Sequence, residues 1–112
     1  MICNLARMAI EDASEYEKSN AVIEHGCFHS QHEAWAVLKE ETEEMCQAIN
    51  RGIFQGMLYT LWIDVKADKT VDKDRLNEVR EAAMAAACEC VQVMAMCDKW
   101  REYHGDSENE ES

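Results

Sequence analysis

The sequence predicts an all-α protein, a helical bundle of about four helices, two of them long. Its 112 residues include no proline and only four glycines, and they are rich in alanine, glutamate, methionine, leucine and lysine, which favour helix. A β-sandwich of this size needs turn residues about every eight to twelve positions, and the sequence does not supply them. The length suits one domain with a modest core, which we expect over residues 1–104.

The first two helices are predicted from apolar spacing and from capping residues. Residues Asn4–Ser19 have apolar side chains at helical spacing, and a break follows near Gly26. Ser30 with Glu33 three residues later forms a capping-box pattern, which predicts a long helix from there to about Arg51. Gly52 is the expected C-terminal cap of that helix.

The third helix is predicted over Ile53–Lys66, and the fourth and longest from Asp72 or Asp74 to about His104. Two apolar rows with alternating steps of three and four predict that the long helices pack side by side with these rows in the core. The rows are Trp35, Leu38, Thr42, Met45 and Ile49 in the second helix, and Leu76, Val79, Ala83, Ala86, Cys90, Val93, Cys97 and Trp100 in the last.

The charge and the cysteines restrict the function classes. The net charge is −12, and residues 105–112 form an acidic segment that we expect to be a disordered tail. This charge disfavours binding to duplex nucleic acid or to an anionic membrane. There are six cysteines, four of them within predicted helices among small apolar residues. We interpret them as reduced thiols of a cytoplasmic protein, since no signal peptide or membrane-length apolar run is apparent.

Beside each apolar row runs a second row in which two polar residues interrupt the apolar positions. In the second helix the polar pair is Glu41 and Glu44, and in the last helix it is Glu89 and Gln92. Residues three apart lie on one face of a helix, so the members of each pair point the same way. Facing carboxylates repel unless a cation lies between them, and oxygen ligands suit Mg²⁺ or Mn²⁺. Glu40 is placed to complete the metal shell or to orient a water.

Other interpretations of these residues remain open. Residues 40–44 form a charge run, and such runs usually lie on a solvated helix face. Glu89 argues against that interpretation because its neighbours are almost all small and apolar. Cys27, His29 and His32 lie close together in sequence, but their spacing is not that of a tetrahedral zinc site. A di-iron site is disfavoured because no glutamate has a histidine three residues later.

Residues 32–44, HEAWAVLKEETEE, resemble the EExxE motif of the MazG-like, all-α nucleoside triphosphate pyrophosphohydrolases. Residues 89–96, ECVQVMAM, resemble the second motif of that family, ExxD, particularly in its short phage- and prophage-associated members. The resemblance covers about residues 30–100. It implies a helical bundle that assembles as a homodimer or homotetramer and hydrolyses a nucleoside triphosphate to the monophosphate and pyrophosphate with Mg²⁺.

The resemblance also implies roles for individual residues. Glu41, Glu44 and Glu89 would bind the metal, and Glu40 would orient the attacking water. Gln92 stands where the motif has aspartate, and its amide oxygen can bind Mg²⁺ but adds no charge and cannot act as a base. The alternative function is therefore a catalytically weak or inactive protein of the same fold that binds metal or other proteins.

Substrate contacts are expected from residues near the two motifs. Lys39 is a candidate for the phosphates, as are Arg80 and Lys99. His32 is a candidate for the lining of the nucleotide site, and Trp35 could stack on a base.

Overall fold

The computed structural model describes residues 3–104, and in this range the chain forms four α-helices and no strand. Their bounds are α1 Asn4–His25, α2 Gln31–Ala48, α3 Arg51–Lys66 and α4 Lys73–Arg101. The predicted all-α fold class is confirmed. The acidic segment 105–112 lies outside the described residues.

Helix α1 is longer than predicted. It continues beyond Ser19 to His25 because the intervening residues include Ala21, Val22 and Ile23 and nothing that breaks a helix. Gly26 ends it with a φ of +75°, in the region that favours glycine, and its N–H donates to the carbonyl oxygen of Val22 at 2.8 Å.

The boundary between α2 and α3 differs from the prediction. Ser30 caps α2 as expected, since its hydroxyl accepts the N–H of Glu33 at 3.0 Å. The helix ends at Ala48, and the Asn50 side chain then accepts the N–H of Ile53 at 3.2 Å, which starts α3. Gly52 therefore lies in the first turn of α3, and the prediction that it caps α2 is wrong.

Helix α4 is the axis of the structure. The Asp72 carboxylate caps it by accepting the N–H of Asp74 at 2.8 Å, and its 29 residues give a length of about 43 Å. Helices α1, α2 and α3 all pack against it. α3 and α4 form a hairpin in which Arg75 lies 3.9 Å from the Asp64 carboxylate, whereas α2 packs antiparallel on the C-terminal half of α4.

The core of the described chain lies between α2 and α4, and it follows the predicted rows only in part. Ala34 and Ala95 are fully buried there, and they pack with Met96 and Phe28. The predicted core residue Trp35 is instead 56% exposed, as are large parts of Ile49 and Leu76. The prediction is confirmed for Ala86, which is buried, and for Leu38 and Trp100, which pack against the core. It is wrong for Trp35, Ile49 and Leu76, because the small alanines allow a close helix approach that turns these larger side chains outward.

Candidate metal centre and adjoining cavity

The structure brings three of the predicted metal ligands together. Glu41 and Glu44 lie on one face of α2, and Glu89 faces them from α4. One carboxylate oxygen from each of the three lies within 4.8 Å of the others. The antiparallel packing through Ala34 and Ala95 sets this distance, because neither side chain holds the helices apart. Glu41 and Glu89 are half-buried, while Glu44 is exposed.

The electrostatics of this acidic cluster centre on Glu41. Partial burial raises the pKa of the Glu41 carboxyl above its ordinary value, and nearby like charges add to the rise. Those charges belong to Glu44, Glu89 and Glu40. Each of these effects disfavours the ionised form of Glu41, and each is reduced when a cation lies among the carboxylates.

The dimensions of the acidic cluster fit a hard divalent cation. Mg²⁺ binds oxygen ligands at about 2.0–2.1 Å in an octahedron, so that opposite ligands are about 4 Å apart. The limit of 4.8 Å among the carboxylate oxygens of Glu41, Glu44 and Glu89 is close to that span. Three carboxylate oxygens would fill part of such an octahedron and leave the remaining positions to water.

Gln92 lies one turn beyond Glu89 on the same face of α4, and together with Glu41 it lines a cavity of about 530 Å³. The cavity runs along α4 between α1 and α2, so the acidic cluster stands at one end of it. Glu40 is exposed and lies outside the cluster, although its charge contributes to the raised pKa of Glu41.

The three predicted substrate-binding residues lie elsewhere on α2. Lys39 is exposed and pairs with the Glu43 carboxylate one turn away. His32 and Trp35 line a shallow groove with Trp100, and none of the three residues lines the cavity beside Glu41.

The far end of the cavity is formed by Lys99, which was predicted only as a phosphate contact, and by Phe28, which was not predicted as a site residue. Lys99, only 7% exposed, lies with its Nζ 4.2 Å from the centre of the Phe28 ring, and Phe28 is itself 6% exposed. The sequence contains a signal for Lys99, because the row Glu89, Gln92 and Met96 continues to it at the same spacing. Phe28 has no such signal, since it belongs to the connection between α1 and α2.

The cysteine and histidine residues near Gly26 do not form a metal site in the described structure. The His29 ring lies 3.3 Å from the Glu33 carboxylate, which also accepts the His29 backbone N–H at 3.0 Å. These contacts lower the pKa of Glu33. Within residues 3–104, the acidic cluster is the one group of three or more acidic, histidine or cysteine side chains placed to hold an ion. The cysteines at positions 3–97 are all free of disulfides.

Comparison with protein-family models, curated proteins and solved structures finds no match to this chain. Within the described range, no helix has the length and apolar character needed to cross a membrane.

Proposed function

We propose that this chain is a Mg²⁺-dependent nucleoside triphosphate pyrophosphohydrolase that releases the nucleoside monophosphate and pyrophosphate. The observation that carries the proposal is the convergence of Glu41, Glu44 and Glu89, which belong to two helices and bring their oxygens within 4.8 Å. These are the residues of the two motifs that resemble the MazG-like family. Mn²⁺ satisfies the same ligands and is an alternative ion.

The chain's own residues supply the ligands and the site for the substrate. Glu41, Glu44 and Glu89 would hold the cation, and the amide oxygen of Gln92 is a neutral donor on the same face of α4. When bound, Mg²⁺ neutralises triphosphate charge and lowers the pKa of a bound water. Glu40 is close enough to influence Glu41 but is exposed, which suits a carboxylate that orients a water from the solvent side.

The cavity beside the acidic cluster supports a nucleotide substrate rather than a bare ion site. Its volume of about 530 Å³ is in the range of small-molecule pockets, and it begins at Glu41 and Gln92. Phosphates held at the cluster would therefore leave the remainder of a nucleotide facing the cavity. The resemblance to the MazG-like family, and not the geometry, supplies the triphosphate.

The test is release of pyrophosphate from each of the common nucleoside and deoxynucleoside triphosphates with Mg²⁺. Glu41→Gln should lower kcat/KM by at least about a hundredfold, because it removes a charged ligand. Glu43→Gln is the matched control, since Glu43 belongs to the same acidic run but pairs with Lys39 on the outer face. It should retain wild-type activity. No pyrophosphate from any substrate, or equal losses in both variants, would contradict the proposal.

The presence of glutamine at position 92, where the motif has aspartate, favours a second candidate function. This is a catalytically weak or inactive protein of the same fold that binds metal or other proteins. An amide at this position reduces the negative charge available to the ion by one. The same experiment separates the candidates. Stabilisation of the chain by Mg²⁺ without pyrophosphate release would favour the second.

We also propose that the chain forms a homodimer or homotetramer. Helix α3 has no buried residue, and several of its large apolar side chains are about half exposed or more, which is unusual for a monomer. These residues are Ile53, Leu58, Tyr59, Trp62 and Val65. The free cysteines support a cytoplasmic location, where thiols stay reduced.

A further inference from the structure

Lys99 is the buried cation of the described chain, and its environment is unusual. It is 7% exposed, and in residues 3–104 its Nζ has no carboxylate at ion-pair distance, although the Glu33 carboxylate is near enough to interact with it electrostatically. The Nζ atom lies over the face of the Phe28 ring, 4.2 Å from the ring centre. Among the buried side-chain nitrogen and oxygen atoms of the described chain, Ser14 Oγ is the one without a hydrogen-bond partner, so the Lys99 Nζ itself still meets solvent. Its N–H groups are therefore available to a ligand in the cavity that Lys99 lines.

The position of Lys99 relative to the acidic cluster limits which part of a ligand it can contact. Lys99 follows Gln92 by seven residues on the same face of α4, which is about 10.5 Å along the helix axis. Both residues line the same cavity, so the cavity connects them. A nucleotide whose phosphates lie at the cluster extends over a comparable distance to its base. Lys99 is thus placed at the base end.

The charge around Lys99 argues for a neutral ligand group rather than a phosphate. The same cavity is lined by Glu17, Glu24 and Glu33 in addition to Glu41. One lysine among four carboxylates leaves the lining acidic, which repels an unneutralised phosphate. An uncharged heterocycle is not repelled, and its own N–H groups find acceptors in these carboxylates.

We propose that Lys99 is a specificity-determining residue that donates a hydrogen bond from Nζ to a ring carbonyl oxygen of the nucleobase, with Phe28 holding the ammonium in place. The inference rests on the proposed function for the placement of the phosphates. An ammonium is a donor only and needs an acceptor on the base. Guanine, cytosine, uracil and thymine each present a carbonyl oxygen that projects from the ring and has two lone pairs, whereas the acceptors of adenine are ring nitrogens, which lie within the ring outline and have one lone pair each. At the distance set by Phe28, we therefore expect Lys99 to favour oxo-base nucleotides over adenine nucleotides.

The test is binding of GMP, CMP, UMP and AMP in a Mg²⁺ buffer, measured by isothermal titration calorimetry. The wild type should bind at least one oxo-base monophosphate about tenfold or more tightly than AMP. Lys99→Met, which keeps the length of the side chain and removes the donors, should bring these affinities within about threefold of AMP. Lys66→Met is the matched control, because Lys66 is exposed at the end of α3, and it should keep the wild-type ranking.

Lys99→Gln provides a second variant that keeps a donor and should keep part of the preference, and circular dichroism verifies that each variant is folded. Equal binding of AMP by the wild type, absence of binding by all four monophosphates, or an unchanged ranking in Lys99→Met would overturn the inference. Its failure is separable from that of the proposed function. If a base preference depends on Lys99 but no pyrophosphate is released, the base site stands and the proposed reaction fails. If pyrophosphate is released but Lys99→Met leaves the ranking unchanged, the reaction stands and the base site fails.

Discussion

The two ends of α4 differ in how many side chains they bury: the C-terminal end has buried side chains, and the N-terminal end has none. Residues 4–48 and 86–101, the site half, contain all the buried side chains of the described chain, together with the acidic cluster and the cavity. Residues 51–85, the α3 arm, contain no buried residue, although α3 is the most apolar of the four helices. The site half thus encloses polar groups, although Leu5, Ile23 and Trp35 remain exposed on its outer surface, whereas the α3 arm buries no side chain and exposes most of its large apolar ones.

This difference indicates that the two regions are stabilised in different ways. In the site half, burial of Ala34, Ala95 and Met96 holds α2 on α4 and so fixes the carboxylates across the gap. In the α3 arm, the hairpin contributes few internal contacts, and side chains such as Trp62 remain 51% exposed. Apolar surface of this kind contributes to stability, at about 25 cal/mol per Å², only when something covers it. A second copy of the chain is the occupant that we propose.

The largest effect is expected from charging the α3 arm. The double substitution Leu58→Glu and Trp62→Glu places carboxylates on side chains that are 65% and 51% exposed. We expect the double substitution to weaken binding between copies by at least about a hundredfold, and so to dissociate the oligomer. The reason is that central aromatic residues at interfaces commonly contribute about 2 kcal/mol or more. Multi-angle light scattering measures the mass. Helix content by circular dichroism should be unchanged.

Gln55→Ala is the matched control for that double variant, because it shortens an exposed polar side chain of the same helix. It should keep the mass of the wild type. A wild-type mass equal to one chain would remove the proposed oligomer, and an unchanged mass in the double variant would place its interface outside the α3 arm.

A smaller effect is expected from forcing apart the helices of the site half. Ala95→Leu adds three carbon atoms at a fully buried position, which should lower the free energy of unfolding by about 1–3 kcal/mol. Ala83→Leu makes the same change at an exposed position of the α3 arm and should cost less than about 0.5 kcal/mol. Urea unfolding measures both. Equal effects would show that the two ends of α4 do not differ in packing as the structure indicates.

The sequence predicts much of the site half, and the reason lies in its local signals. Ser30 and Asp72 are side-chain caps that fix where α2 and α4 begin. The three-residue spacing of Glu41 and Glu44 places both on one face, independently of the rest of the fold. Glu89 could be paired with them because a lone carboxylate among small apolar residues needs a partner.

The sequence does not determine which face of each helix meets its neighbour in the same chain. Trp35 and Ala34 belong to adjacent rows of α2, and periodicity alone favours the larger side chain as core. The structure buries Ala34 instead, because two facing alanines allow closer helix packing. The local sequence also does not predict the role of Phe28, since its contact with Lys99 depends on how the connection after α1 folds back over α4.

The smallest effect is expected from protons and Mg²⁺ at Glu41. Burial, followed by nearby carboxylates, raises its pKa in the folded chain above the ordinary value of 4.5, so the folded chain binds this proton more tightly than the unfolded chain. The contribution of Glu41 to stability is fully present below that value and is lost as the pH rises through the raised pKa. In a chelating buffer, Glu41→Gln should therefore gain stability relative to the wild type as the pH rises from 4 to 7.

Mg²⁺ should reverse that order at neutral pH. At ten times its dissociation constant, the ion stabilises the wild type by about 1.4 kcal/mol, and Glu41→Gln gains less because it has lost a charged ligand. Glu43→Gln should follow the wild type in both buffers. The pKa of Glu33 is lowered by His29, so its contribution to stability rises with pH, opposite to that of Glu41. Glu33 is present in the wild type and in both variants, so its contribution cancels when they are compared. Thermal melts at each pH provide the measurement. Equal stabilisation of the wild type and Glu41→Gln by Mg²⁺ would show that the ion binds away from the acidic cluster, because loss of the Glu41 carboxylate must weaken an ion site that uses it.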